Sequence, residues 1–263
     1  MELFAFFGRP IHHSLSPQMH NAAFKYSDRP AFYFPVECSP AELSYRLDAF
    51  RQLNGRGANL TRPLKELIIP HLREKTPWVE KTQAANVVAW QEDGWIGDNT
   101  DVQALVAAIP PAALSHFGGV AWVLGQGGAA RASTVALQER GYDVVVFGRA
   151  STRPVWHDRW ERWNYAKFLQ PQCDVFVNAT PIGQMGEARW PIEPQFDVHT
   201  VVVDWVYRPN ITPLVEKGRQ VGCTVVDGLS LLIEQAVFSW KLWFGYNGPY
   251  HVMKKAVQDF HDD

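Results

Sequence analysis

The chain has 263 residues, 46% of them hydrophobic and 20% charged, with a formal net charge of −2. That length and balance hold two ordinary globular domains and exclude a disordered chain. The near-neutral charge and the lack of a basic cluster exclude a nucleic-acid partner, and no apolar run approaches the roughly 20 residues that a membrane helix needs.

Met1-Glu2-Leu3-Phe4 carries no basic region ahead of an apolar stretch, so no signal peptide is expected. Leu3 to Phe7 reads as a strand, followed by a loop from Gly8 to Ser16, with Ser16 as a helix cap and Pro17 in the first helical position. Ser14-Leu15-Ser16 sets hydroxyls and free N–H groups ahead of a helix, where they can hold a carboxylate; capping alone explains them equally well. His12, His13 and His20 have no acidic or cysteine partner at ligand spacing, so no metal is expected. Ala31 to Glu37 reads as the next strand. Ser39-Pro40-Ala41-Glu42 is a capping box, after which Leu43, Leu47 and Phe50 continue one apolar helix face. Ala58 to Leu60 is a short strand entering Thr61-Arg62-Pro63-Leu64-Lys65. Lys65 stands at a strand-to-helix junction, where a solvated helix-start residue is the favoured reading of a lysine taken alone. Val87 to Trp90 and Trp95 to Ile96 flank Asp93-Gly94, a hairpin turn pair. Asp98-Asn99-Thr100-Asp101 then precedes a linker, with a domain boundary near Asp101 to Gly118. If Lys65 and Asp101 face one cleft, they suit carbonyl reduction: the ammonium donates to a substrate oxygen while the carboxylate orients it.

From Val120 the pattern changes. Val120 to Leu124 is a buried-strand run, and Gly125-Gln126-Gly127-Gly128-Ala129-Ala130 fits the G-x-G-x-x-A fingerprint of a Rossmann turn. A helix over Ala129 to Glu139, a stop at Gly141 and a second strand over Asp143 to Phe147 complete the unit. Further strands are expected at 174–178, 201–206 and 224–226. Where an NAD site places its acidic residue, the chain reads Gly148-Arg149-Ala150-Ser151-Thr152-Arg153. Two guanidiniums and no carboxylate point to NADP; arginines that only solvate a strand end are the plainer alternative. Trp156, Trp160 and Trp163 fall at helical spacing and predict a packed amphipathic helix. The tail from Leu229 to Phe260 reads as helix, broken near Gly245 to Pro249. Cys38, Cys173 and Cys223, odd in number and far apart, suit a reducing, cytoplasmic setting.

Six segments in order, GRPIHHSLSPQMHNAAF, NLTRPLKE, AANVVAW with GDNTD, GQGGAARA, VNATPIGQMG, and DWVYRPNITPL followed by DGLSLLIEQAVFSWKLWFG, resemble the shikimate dehydrogenase family. The resemblance implies an NADP-dependent oxidoreductase acting on a CH–OH group, reversibly reducing 3-dehydroshikimate to shikimate in aromatic amino-acid biosynthesis. It implies an N-terminal α/β substrate domain over 1–101 and 235–263. A Rossmann-type NADP domain over 102–234 and a C-terminal helix returning to the substrate domain complete that expectation. By the same resemblance Lys65 and Asp101 form the catalytic pair, Ser14 and Ser16 bind the substrate carboxylate, and Thr61, Asn86, Tyr207 and Gln235 contact substrate. Gly125, Gln126, Gly127, Gly128, Ala129, Ala130, Gly148, Arg149, Arg153, Thr180, Trp205 and Gly228 fall on the cofactor side. The chain departs from the family at Gly148-Arg149-Ala150, where Asn-Arg-Thr is usual, and at Pro181, where serine is typical. A quinate or related cyclic hydroxy-acid dehydrogenase is the near alternative, and a non-catalytic sensor of the same intermediates the remote one. A small-molecule substrate and a monomer or homodimer are expected.

Overall fold

The structure, a computed structural model, describes residues 1–11, 14–112, 115–149, 154, 156–184, 190, 193–209 and 211–258. The chain divides into two compact units: Met1–Thr100 with the segment from Ile233 onward, and Asp101–Leu232.

The first unit contains β1 (Glu2–Gly8), α1 (Ser16–Tyr26), β2 (Ala31–Glu37), α2 (Leu43–Gln52), β3 (Gly55–Leu60), α3 (Leu64–Leu67), β4 (Leu72–Lys75), α4 (Pro77–Thr82), β5 (Val87–Gln91) and β6 (Gly94–Asp98). Its sheet runs β2-β1-β3-β5-β6-β4, parallel between β2, β1 and β3 and antiparallel across β5. Leu60 lies opposite Phe7, Asn59 opposite Val87, and Val87 opposite Asp98. That register gathers the ends of β1, β3 and β6 and the start of β5 along one edge, where the loops carrying Thr61, Asn86 and Thr100 leave the sheet. Leu43, Leu47 and Phe50, the face that follows the capping box, bury against Phe7, Leu60, Leu64 and Trp95. Each such side chain contributes about 1.5–3 kcal/mol by leaving water.

Two local expectations shift here. Ser16 is not the cap but the first helical residue, and its N–H is accepted by Ser14 Oγ at 3.2 Å. The hairpin turn sits one residue early: Glu92 (φ 44°) and Asp93 (φ 67°) are its central residues, because Gly94 is already paired with Gln91.

The second unit contains β7 (Val120–Leu124), α6 (Gly128–Glu139), β8 (Asp143–Gly148), β9 (Trp160–Arg162), α7 (Tyr165–Leu169), β10 (Val175–Asn178), β11 (Val201–Asp204), α8 (Pro213–Val221) and β12 (Val225–Val226), preceded by α5 (Thr100–Ala108). All its strands are parallel, in the order β12-β11-β10-β7-β8-β9. This is the doubly wound order of a dinucleotide-binding sheet, with its switch point between β7 and β10. Continuous valine-rich strands, with Val123, Val146, Val177 and Val203 fully buried, suit a sheet covered on both faces.

Two expectations fail in this half. The stretch after Asp101 is helix α5 rather than a linker. The tryptophan segment is not a helix: Trp160–Arg162 adds a strand to the open edge of β8, and Trp163 N–H continues the ladder to Gly148 O at 2.9 Å. The backbone groups of a sheet edge outweigh the side-chain spacing, and Trp163 still reaches the core, 5.1 Å from the Phe168 ring. The tail forms α9 (Gly228–Phe244) and α10 (Tyr250–Gln258), broken at Gly245 with φ 80°. From Ile233 onward α9 belongs to the first unit, and Trp240 Nε1 donates to His20 Nδ1 at 3.1 Å. Among the described residues no helix is long and apolar enough to cross a membrane.

Candidate functional site

In the first unit the organising residue is Asn86, buried one position before β5. Its Oδ1 accepts the Thr100 N–H at 2.8 Å, satisfying a donor at the start of α5. Its Nδ2 donates to Thr100 Oγ1 at 3.0 Å and to Gln235 Oε1 on α9 at 3.4 Å. One turn along α9, Ser239 Oγ donates to the Gln235 carbonyl and accepts from Asn59 Nδ2, each at 2.9 Å. Asn59 Oδ1 in turn accepts from the Tyr33 hydroxyl at 2.9 Å. Burial pushes that hydroxyl's pKa well above its ordinary value, against a hydrogen bond with Ser16. Ser16, Asn86 and Gln235, scattered in sequence, are therefore members of one neutral, buried polar network.

The other predicted substrate-side residues are held by the backbone. Thr61 N–H donates to Phe7 O at 2.9 Å, which fixes the turn after β3 against the end of β1. Lys65 is half-buried in the first turn of α3, and its carbonyl accepts the Ala85 N–H at 2.7 Å, next door to Asn86. Asp101 is 4% exposed and directly follows the Thr100 that Asn86 holds. Ser14 is half-buried ahead of α1, and Tyr207 lies in the second unit, half-buried in the loop after β11. His20 is a core residue: burial lowers its pKa to about 3, leaving the neutral ring to accept the Trp240 N–H. His12 and His13 lie outside the described residues, and the described ones hold no group of three or more His, Cys, Asp or Glu able to hold a metal.

In the second unit Gly125 takes φ 126°, and a Cβ there would stand 2.6 Å from Ala179 O. Only glycine lets the turn after β7 pass this close to the loop after β10. Gly127 caps α6, is exposed, and a Cβ built on it would meet nothing within 4 Å. Backbone N–H groups at the start of this 12-residue helix are thus open to an anion, with the helix dipole behind them. Gly128 and Ala129 are half-buried and Ala130 fully buried against the sheet. Gly148 ends β8, Arg149 follows it exposed, and Arg153 lies outside the described residues. The open cradle and a strand end without a carboxylate fit a dinucleotide bearing a 2′-phosphate.

The loops around that cradle are pinned by Asp204, the last residue of β11 and fully buried. Its carboxylate accepts from Asn178 Nδ2 at 2.9 Å, Val206 N–H at 3.0 Å and Thr212 Oγ1 at 2.6 Å. Asn178 Oδ1 then holds Thr180 through its N–H (3.1 Å) and its hydroxyl (2.6 Å). Trp205 N–H reaches Asn178 O at 3.0 Å, and its indole donates to Ser133 on α6 at 2.8 Å. Gly228 opens α9 hard against this loop; a Cβ there would lie 2.4 Å from Val206 O. Burial raises the Asp204 pKa to about 7, against the three hydrogen bonds that favour its charged form.

Tyr33, Asn59, Thr100 and Ser239 in one unit, and Asn178, Asp204 and Thr212 in the other, were not singled out from the sequence. The available signal was an amide or acid closing an otherwise apolar strand, as Asn178 and Asp204 do.

A model of the shikimate dehydrogenase substrate binding domain matches residues 6–88, and one of the shikimate 5′-dehydrogenase C-terminal domain matches residues 228–258. A relative from Nostoc sp. named shikimate dehydrogenase (NADP+) is 32% identical over 97% of this chain and 96% of its own length. One of the same name from Archaeoglobus fulgidus is 33% identical over 95% of each. The solved structure of shikimate 5-dehydrogenase from Thermus thermophilus, in complex with NADP(H) and shikimate, superposes with a TM-score of 0.86 at 32% identity, covering 98% of this chain and 99% of that one.

Proposed function

The chain belongs to the shikimate dehydrogenase family, and from that premise we propose that it is an NADP-dependent shikimate dehydrogenase, reversibly reducing 3-dehydroshikimate to shikimate. The observation that carries the reading is the Asn86 network. It presents neutral donors and acceptors from Ser16, Asn86 and Gln235 at one sheet edge, a surface matched to a small polyhydroxylated ring. The first unit is the substrate domain and the second the NADP domain. Ser14 and Ser16 take the substrate carboxylate, while Thr61, Asn86, Gln235 and Tyr207 bind its hydroxyls.

NADP, when bound, supplies the hydride acceptor for shikimate and, reduced, the donor for the ketone. Its diphosphate would be held by the backbone from Gly125 to Ala130, its 2′-phosphate by Arg149 and Arg153. Gln126, Gly148, Thr180, Trp205 and Gly228 would line the remaining cofactor surface. Lys65 hydrogen-bonds the substrate oxygen that changes state, giving it a proton as the ammonium in reduction and taking that proton back as the neutral amine in oxidation. Asp101 is the carboxylate that orients this lysine. Every residue in this scheme comes from one chain, and the expected assembly is a monomer or a homodimer. The free thiols Cys38, Cys173 and Cys223 support a reducing cytoplasm as its setting.

The test is nicotinamide absorbance after mixing the purified protein with shikimate or quinate and NADP or NAD. Reduced cofactor should appear fastest with shikimate and NADP. A quinate preference would move the assignment to the sister activity. Silence with all four pairs would sink it.

A further inference from the structure

Gly148 ends β8, the strand that neighbours the glycine-rich turn, about 20 residues past the first glycine. In a doubly wound sheet that position faces the adenosine ribose, and an acidic side chain there selects NAD. Here the position has no side chain of its own. Its place is filled from the turn instead: a Cβ built on Gly148 would lie 2.3 Å from Gln126 Cδ, 2.6 Å from Nε2 and 2.6 Å from Oε1. The whole carboxamide lies over the glycine. Gln126 is half-buried, and its side chain ends in a primary amide with two N–H donors and one carbonyl acceptor.

We propose that Gln126 is a specificity-determining residue, its carboxamide reading the substituent at the ribose 2′ position in place of a strand-end side chain. This rests on the NADP-dependent reading above. A neutral amide donates N–H to a 2′-phosphate beside the Arg149 guanidinium, where a carboxylate would repel it. Its oxygen accepts equally well from a 2′-hydroxyl, so the residue tolerates NAD rather than excluding it. Arg149 supplies the charge that favours NADP, and Gln126 the directional contact.

The experiment is a titration of the full chain with NADPH and NADH, read by cofactor fluorescence, together with thermal melting of the cofactor-free protein. Gln126→Ala should weaken NADPH binding about tenfold, the scale of one hydrogen bond to a charged group, and NADH binding less. Gln126→Glu should lower the NADPH-to-NADH affinity ratio by more than about tenfold, through repulsion added to the lost bond. Gly148→Ala puts a methyl where the amide lies and should reproduce the Gln126→Ala loss. The double variant should be no worse than either single one, since both remove the same contact. Binding of shikimate, followed by tryptophan fluorescence, should stay unchanged in all four. An unaltered NADPH-to-NADH ratio in Gln126→Glu, or additive losses in the double variant, overturns the proposal while leaving the function intact. Failure of the unaltered protein to bind either cofactor overturns both. If Gly148→Ala does not fold, the two Gln126 variants still decide the matter.

Discussion

The two halves of this chain hold their functional loops with different chemistry. In the first unit the hub is an amide: Asn86 bonds Thr100 on one side and Gln235 on the other. On the cofactor side the hubs are carboxylates at both ends of the sheet. Asp204 gathers the loops after β10 and β11, while Asp174, 3% exposed at the opposite end, accepts the N–H groups of His116, Phe117, Gly119 and Val120 at 2.5–2.9 Å. A neutral network keeps its bonds across the pH range, since burial moves even the Tyr33 hydroxyl away from it. A buried carboxylate with a raised pKa does not. The Asn86 network should therefore hold its bonds as pH changes where the cofactor loops respond, and each half should fail in its own way when its hub is removed.

The largest effect falls where the proposed chemistry lies. Lys65→Ala should lower kcat about 10²- to 10⁴-fold, with NADPH affinity unchanged. Loss of NADPH binding in that variant would erase the division of labour. Next comes Asp174→Ala, which strips the acceptor from four backbone donors and should cost about 3 kcal/mol in chemical denaturation, with kcat per folded molecule preserved. A cost under about 0.5 kcal/mol would show that water replaces the carboxylate. Asn86→Ala should weaken shikimate binding by about 1–3 kcal/mol while sparing NADPH, read by calorimetry with each ligand in turn.

The last effect carries a sign. With a folded pKa of about 7 against an ordinary 3.8, Asp204 keeps its proton in the folded state after the unfolded chain has released it. Folding stability from this group is therefore full below about pH 4 and declines as pH rises toward 7, by at most about 1.4 kcal/mol per unit. Asp204→Asn should flatten that slope in urea melts taken across the range. An equal slope in the variant would assign it to other groups.

The sequence carried the cofactor half well. A glycine turn between apolar strands has one dominant structural solution, and the strands from Val120 and Asp143 lie where their valines indicate. It misled at Trp160, where spacing suggested a helix but the open edge of β8 recruited a strand, a tertiary demand that no local pattern records. Ser16, Asn86 and Gln235 could be named by resemblance, yet their connection through Tyr33, Asn59 and Ser239 was invisible. That connection joins residues up to 180 positions apart, as in the Asn59–Ser239 bond, and only the register of the sheet brings them together. Gln126 over Gly148 was hidden for the same reason, since neither residue predicts the other without the turn's geometry.

The most direct measurement is isotope transfer. Reduction of 3-dehydroshikimate with NADPH deuterated at its transferable position should give shikimate carrying one deuterium on the new carbinol carbon, detected by mass spectrometry. Shikimate formed without the label, or no shikimate when both ligands are shown to bind, would contradict the assignment of this chain as a hydride-transferring shikimate dehydrogenase.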